Sequence, residues 1–285
     1  MSGYVSGVLA ILCINLIFAY GIYVTAAAGQ INLGGAGFQA IGAYAAGWLA
    51  GQLGLSIAAS IIAAALFAAL VGFLISFPVL RTRGVYMVLA TFAFGEVVAG
   101  FLLHTEVFGG AMGMVVPLHV ELWVLVTGAV VVTFATFYLM ATRLGLAMRA
   151  VNDDEDAAIV MGVHVRAVQV AAFTIGGAFT GLSGALYALN FGFVEAQYFN
   201  ALLSIYILLY VLIGGTQTAW GPLAGTVFFT MLPELFRVGG SARYLIFGIV
   251  IVIMMVLRPE GIVTHALLRR LSPRRLFAAG GARGG

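Results

Sequence analysis

The sequence predicts an all-α membrane protein that crosses the lipid several times, and three observations support this. Hydrophobic residues make up 63% of the chain and charged residues only 8%, against roughly 25% charged residues in a soluble domain. The apolar runs are long and continuous rather than alternating, which indicates helices rather than a barrel. Glycine occurs 38 times, as expected where helices pack backbone to backbone in lipid.

The first half of the chain contains five predicted spans. Residues 1–80 lack Asp, Glu, Lys, Arg and His, and this uncharged stretch holds the first three. A polar, glycine-rich break separates the first span from the second. The spans cover residues 4–28, 38–50, 55–80, 84–104 and 120–142. Each long span exceeds the ~18 apolar residues needed to cross a bilayer.

The second half has one long span and three short apolar segments. A hydrophilic loop at 143–166 comes first, and a long span over 167–191 follows it. The short segments cover residues 201–213, 222–236 and 244–257. Segments this short barely cross ~30 Å of hydrocarbon. We therefore expect nine crossings, within a range of eight to ten, in one transmembrane domain over residues 1–268.

The positions of arginine orient the chain, because cytoplasmic loops of membrane proteins are enriched in basic residues. Most arginines fall at points that this topology places on one side, which predicts a cytoplasmic C-terminus and an outer N-terminus. They are Arg81, Arg83, Arg143, Arg149, Arg166 and the arginines from Arg258 onward. Residues 269–285 form a basic cytoplasmic tail, which we expect to bind anionic lipid head groups.

Several function classes are excluded by composition. All thirteen basic residues are arginine, so the chain has no lysine for a Walker A nucleotide site or for a Schiff base. Cys13 is the only cysteine, which excludes a disulfide framework and a thiolate cluster. The four histidines show no ligand spacing, and no domain accompanies the basic pairs. We expect no cofactor, no metal and no nucleic-acid partner.

The hydrophilic loop contains an unusually well-capped segment, residues 149–162, with four of the ten acidic residues. Asn152 and Glu155 have capping-box spacing, which predicts a helix that starts at Asn152. Acidic side chains in the first turn favour the helix dipole, and Gly162 is placed to end the helix in a left-handed conformation. The pattern predicts a helix of about two and a half turns. It is either a solvated acidic loop or a surface on which a partner docks.

Two polar features lie within the apolar part. Glu96 falls inside a span, where a carboxylate costs about 2.5 kcal/mol or more; it is either a pathway residue or a polar clasp between helices. The break after the first span contains Asn32, Gly34 and Gly35. It either lines a translocation pathway, where free backbone groups can contact a solute, or forms a cytoplasmic turn. Gln39, in the following helix, is a weaker pathway candidate.

Sequence blocks in the same order resemble the permease subunits of branched-chain amino-acid ABC importers, of the LivM type. Among seven such blocks are Asn32-Leu-Gly-Gly-Ala-Gly-Phe-Gln-Ala-Ile-Gly-Ala-Tyr44, Pro78-Val-Leu-Arg-Thr-Arg-Gly-Val-Tyr86 and Phe94-Gly-Glu96. Two blocks depart from the family pattern. Gly35 stands where the family often has a histidine or glutamine, and the loop at 108–113 lacks the usual Thr-Gly-Gly start.

The resemblance implies an ABC importer permease fold and a role for the hydrophilic loop. Importer permeases carry a coupling pattern of Glu-Ala-Ala, three residues and Gly; Asp156-Ala-Ala158 and Gly162 keep that spacing, with Asp for Glu. The implied ATPase-coupling residues are Asp153, Asp154, Glu155, Asp156, Ala157, Ala158, Val160, Met161 and Gly162. The pathway candidates stay those that the polar features indicate, namely Asn32, Gly34, Gly35, Gln39 and Glu96.

The resemblance also implies partners and a location. They are a second, related permease subunit, two ATPase subunits that hydrolyse the ATP, and a periplasmic solute-binding protein, all at a bacterial inner membrane. The implied solute is a branched-chain amino acid or a similar small polar molecule. A stand-alone secondary transporter or channel is the alternative. An intramembrane enzyme is disfavoured, because neither a His-Glu-x-x-His nor a Gly-x-Ser-x-Gly motif is present.

Overall fold

The protein is represented by a computed structural model that describes residues 2–235 and residues 248, 249, 251, 252, 254, 261 and 262. Ten α-helices lie in residues 2–235. They are α1 (Ser2–Ala26), α2 (Gly35–Gln52), α3 (Ile57–Val79), α4 (Val85–His104), α5 (Leu122–Ala141), α6 (Arg143–Asp153), α7 (Glu155–Val160), α8 (Val165–Phe191), α9 (Ala201–Gly214) and α10 (Trp220–Leu235). Most of the predicted span 244–257 and all of the tail 269–285 lie outside the described residues.

The all-α polytopic prediction is confirmed. Within the described residues, five helices are long and apolar enough to cross a membrane, namely α1, α3, α4, α5 and α8. The helix α2 has 18 residues, and α9 and α10 are the shorter apolar helices that the sequence predicted. Each observed boundary falls within a few residues of the predicted one, because charged or glycine-rich segments mark the ends of the apolar runs.

The helix α8 lies at the centre of the bundle and packs against α1, α2 and α3. Glycine allows this packing: a Cβ atom on Gly42 would collide with the backbone of Gly181, and one on Gly184 with the carbonyl oxygen of Gln39. Ala46 of α2 and Ala185 of α8 continue the contact. Small residues thus bring α2 and α8 together at backbone distance, the usual way in which helices associate in lipid.

The N-terminal helix α1 is also largely internal. Its residues 17–24 are fully buried, including the large side chains of Phe18, Tyr20 and Tyr23. The Tyr20 hydroxyl donates a hydrogen bond to the carbonyl oxygen of Ala219, 3.3 Å away, in the turn between α9 and α10. This bond ties α1 to a turn almost 200 residues further along the chain and satisfies a polar group inside the bundle.

The two ends of the bundle differ in chemistry. At one end, a short antiparallel pairing joins β1 (Met114–Val115) to β2 (Phe193–Val194), which connects the loop after α4 with the loop after α8. The opposite end carries α6, α7 and a group of arginines; we call it the arginine-bearing end. Those arginines are Arg81, Arg83, Arg143, Arg149 and Arg166.

The predicted helix start at Asn152 is wrong. Asn152 lies inside α6, which continues to Asp153, and a new helix, α7, begins at Glu155 after an extended Asp154 with φ −157° and ψ 109°. The reason is tertiary: Met148 and Val151 of α6 are buried, and their packing carries the first helix past Asn152. The loop therefore contains two helices that meet at an angle rather than one.

Candidate translocation and coupling sites

The helix α7 is short and its two ends are fixed by its own residues. The carboxylate oxygen Oδ1 of Asp154 accepts a hydrogen bond from the backbone N–H of Ala157 at 2.9 Å. At the other end, Gly162 adopts φ +82°, and its N–H donates to the carbonyl oxygen of Ile159 at 2.9 Å. The predicted left-handed Gly162 is confirmed. These caps supply partners for backbone groups that a six-residue helix leaves unpaired.

The end of α7 presents apolar side chains outward. Val160 is 88% exposed and Met161 is 83% exposed, and we call these two residues the α7 tip. Ala157 is also exposed, whereas Ala158 is buried and seats the helix against its own chain. Two large apolar side chains that project from a hydrophilic loop cost free energy in water unless a partner covers them.

The four acidic residues of the loop have different surroundings. Asp153, Asp154 and Asp156 are exposed, and Glu155 is half-buried. Only Asp154 caps α7, because Asp153 is the last residue of α6. The predicted coupling residues thus lie in one continuous segment from the end of α6 to Gly162, and their role in coupling stays a prediction.

The break before α2 leads from the arginine-bearing end into the bundle. Gly29 lies beside Asn152 of α6, while Gly34 packs on the backbone of Thr91. Thr91 lies six residues into α4, about 9 Å along the helix axis. The helix α2 therefore starts inside the depth of a spanning helix. Whether the break lines a pathway or forms a cytoplasmic turn is not tested by this geometry, and both interpretations stay predictions.

Hydrogen bonds hold the start of α2 in place. Asn32 is 2% exposed, and its Oδ1 accepts from the N–H of Gly34 at 2.8 Å. The N–H of Leu33 donates to the Thr91 hydroxyl at 3.0 Å, and the N–H of Ala36 donates to the Ser204 hydroxyl at 2.8 Å. Sequence reasoning assigned no role to Thr91 or Ser204, since a hydroxyl in an apolar helix does not reveal the backbone group that it will bind.

The remaining predicted residues of this region make helix contacts. A Cβ atom on Gly35 would meet the rings and methyl groups of Phe18 and Ile22 in α1, so a larger residue at position 35 needs a different packing of α1. The Gln39 side chain is buried, and its Nε2 donates to the Ser183 hydroxyl of α8 at 3.0 Å. Their part in a pathway stays a prediction.

Glu96 lies at the middle of α4 and faces away from the other helices that the structure describes. The side chain is exposed, as are Phe92 and Ala93, which lie one turn earlier on the same helix face. Glu96 forms no hydrogen bond or ion pair with any residue that the structure describes, so the predicted clasp between helices of this chain is not formed there. The preceding Gly95 packs on Gly37 of α2. One face of α4 therefore packs against the break before α2, and the opposite face is exposed.

The structure does not bring all the predicted pathway residues into one cavity. Asn32, Gly34 and Gly35 are buried where α2 meets α1 and α4, Gln39 faces α8, and Glu96 faces outward. A helix that starts inside a lipid-spanning bundle is the arrangement by which membrane transporters bring backbone groups to a solute. It places this chain among the membrane transport proteins.

Comparison with known proteins agrees with this class. The family model described as the branched-chain amino acid transport system, permease component, matches residues 4–257. The high-affinity branched-chain amino acid transport system permease protein LivM of Escherichia coli is 30% identical, over 90% of this chain and 68% of the relative, and LivM of Salmonella typhimurium gives the same values. No solved structure matches. The chain belongs to the branched-chain amino acid transport permease family and is a multi-pass permease subunit.

Proposed function

We propose that this chain is one membrane half of an ATP-driven importer for branched-chain amino acids or a similar small polar solute. The observation that carries the proposal is the exposed α7 tip on a helix that has its own cap. A stand-alone carrier has no need for a rigid, apolar projection outside the membrane. The name of the LivM relatives supports the solute class, and the exact solute follows from the binding protein that delivers it.

The ATPase subunit contacts α7. The chain has no lysine and hence no P-loop of its own, so the work of ATP hydrolysis must enter through a contact. Val160 and Met161 fit an apolar groove on the ATPase, in the manner of a helix seated in a groove. Gly162 then turns the chain sharply into α8. Because α8 contacts α1, α2 and α3, a displacement of α7 reaches the centre of the bundle.

The open face of α4 lies against a second permease subunit and forms half of the pathway. A carboxylate at the middle of a spanning helix is costly in lipid, so Glu96 faces either water or another protein. A pathway between two related permeases provides such surroundings for Glu96, because it places both water and a protein wall at membrane depth. The break before α2 lies behind this face and supports α4 through Gly34, Gly37 and Thr91.

The arginine-bearing end is cytoplasmic by the positive-inside rule. Two ATPase subunits then dock at α7 and at its counterpart on the second permease, and a periplasmic solute-binding protein approaches the end that carries β1 and β2. The chain lies in a bacterial inner membrane, with its N-terminus outside and its C-terminus in the cytoplasm. The chain carries no cofactor of its own, and ATP is bound by the partners.

Reconstitution tests the proposal. The chain is purified with its co-encoded ATPases and second permease and placed in proteoliposomes with the solute-binding protein, and uptake of labelled leucine, isoleucine and valine is measured with and without ATP. We expect uptake that requires ATP and every subunit. Uptake by this chain alone, driven by a proton or sodium gradient, would establish the stand-alone carrier instead.

A further inference from the structure

A deep cleft opens at the arginine-bearing end, away from the face of α4 that carries Glu96. It has a volume of about 1250 Å³ and lies between the end of α3, the start of α4, α7 and the start of α8. We propose that this cleft binds an anionic phospholipid, with the phosphate held by Arg81, Arg83 and Arg166 and an acyl chain along the apolar wall. None of the predicted pathway residues lines this cleft.

The charge of the cleft fits a phosphate group. All three arginines line it and are exposed, and none of them forms an ion pair with a residue in the described part of the chain. Glu155 also lines the cleft, so the balance is three positive charges against one negative. Arginine binds phosphate oxygens through paired N–H groups, and basic pockets between spanning helices on one membrane side are suited to anionic head groups.

A buried amide without a partner lies in the same cleft. Gln30 is 1% exposed and lines the cleft, yet neither its Oε1 nor its Nε2 has a hydrogen-bond partner. A buried amide that lacks partners costs free energy, and a bound molecule with oxygen acceptors and hydroxyl donors removes that cost. The phosphate and ester carbonyls of phosphatidylglycerol supply acceptors, and its head-group hydroxyls supply donors.

The depth of the cleft distinguishes a lipid from a protein partner. The wall continues along α3 to Phe73 and along α8 to Ile175. Phe73 lies six residues, and Ile175 ten residues, from the ends of their helices at the arginine-bearing end, about 9 and 15 Å along the axes. A loop of a water-soluble ATPase cannot enter the hydrocarbon from the side, whereas an acyl chain already lies there. The exposed Phe77 on the rim continues the apolar surface outward.

Native mass spectrometry of the full-length chain in detergent tests the proposal. The probes are dioleoyl phosphatidylglycerol, dioleoyl phosphatidylcholine and inorganic phosphate, titrated separately and in competition. We expect the chain to retain phosphatidylglycerol where phosphatidylcholine dissociates, and inorganic phosphate not to displace it. The triple variant Arg81→Gln, Arg83→Gln, Arg166→Gln should bind phosphatidylglycerol roughly a hundredfold more weakly, at about fivefold for each arginine.

Two matched variants separate a built site from general charge. Arg143→Gln removes an exposed arginine at the same end that does not line the cleft, and it should bind the lipid as the unaltered chain does. Gln30→Leu removes the unpartnered amide without breaking any hydrogen bond of the described chain and should weaken retention about fivefold. If the triple variant aggregates, the retention of phosphatidylglycerol by Gln30→Leu tests the site instead.

Four results would overturn the lipid site. They are equal retention of phosphatidylcholine, displacement of the lipid by inorganic phosphate, an equal loss in Arg143→Gln, and unchanged retention in Gln30→Leu. Displacement by added ATPase subunits would show that the cleft is a protein contact. Because the lipid titrations use the chain without its partners, their failure leaves the importer proposal unaffected, and failure of ATP-driven uptake leaves the lipid site unaffected.

Discussion

The Asp154 carboxylate lies 2.9 Å from the backbone nitrogen of Ala157, and this hydrogen bond starts α7. A helix of six residues is far below the length at which helices are stable on their own. The helix therefore depends on its two caps and on the buried Ala158.

Removal of the cap should weaken the contact with the ATPase. Asp154→Ala loses a bond worth about 1 kcal/mol, whereas Asp154→Asn keeps an N-cap oxygen without the charge. We expect the first to lower ATPase binding several-fold in a pull-down titration and the second to bind almost normally. Asp153→Ala, next to it at the end of α6, is the control. An equal loss of ATPase binding in Asp153→Ala would mean that binding depends on negative charge in this segment and not on the helix cap.

A β-branched residue at position 162 should uncouple transport from ATP hydrolysis. A Cβ atom on Gly162 meets nothing within 4 Å, so Gly162→Val acts through the left-handed backbone alone, at a cost of about 1–2 kcal/mol. Gly162→Asn tolerates this conformation and should couple normally. The ratio of leucine transported to ATP hydrolysed is the measurement. An unchanged ratio in Gly162→Val would contradict rigid coupling through this turn.

A charge at the α7 tip should abolish ATPase docking without harm to the fold. Met161 is 83% exposed, so Met161→Asp disturbs no core contact and places a carboxylate in the proposed apolar groove. We expect at least a tenfold loss of ATPase affinity with an unchanged unfolding temperature. Met112→Asp is the matched control, because Met112 is equally exposed in the loop that ends at β1. Comparable losses in both variants would disprove a localised docking surface.

A methyl group between α2 and α8 should destabilise the bundle. The Cβ of Gly42→Ala would collide with the Gly181 backbone, which has no rotamer with which to yield. We expect a loss of about 1–3 kcal/mol in stability, seen as a lower unfolding temperature in detergent. Gly7→Ala in α1, where a Cβ meets nothing within 4 Å, should be neutral. If Gly42→Ala has the same unfolding temperature as the unaltered protein, the contact between α2 and α8 is looser than the structure shows.

A cysteine in place of Glu96 should report whether the outward face of α4 meets water. We expect Glu96→Cys to react with a membrane-impermeant maleimide in the assembled importer, and the reaction to be slowed by added solute. The native Cys13 is buried and provides an unreactive background. Phe134→Cys on α5, exposed on the bundle surface, is the lipid-facing control. Glu96→Cys that is as unreactive as Phe134→Cys would remove Glu96 from the pathway.

The predictable part of the site is the part that depends on neighbours in sequence. The sequence predicts a left-handed Gly162, and the structure confirms it with φ +82°. The prediction is possible because glycine, which has no Cβ atom, adopts positive φ readily. The helix start could not be predicted, because Asn152 and Asp154 are both good caps. Burial of Met148 and Val151 against the bundle decided between them. The same limit applies to Thr91 and Ser204, whose hydroxyls bind backbone groups far away in sequence.

Sequence patterns suffice to predict that the chain is a helical membrane protein and where its apolar runs begin and end. Both predictions follow from the length and continuity of the apolar segments, whereas the family resemblance rests on seven sequence blocks in the same order. Three features depend on how the helices pack: α2 starts inside the bundle, Gln39 contacts Ser183, and Glu96 faces outward. The physical reason is that lipid and protein neighbours are equally apolar, so composition cannot distinguish a helix face that packs on its own chain from one left open for a partner.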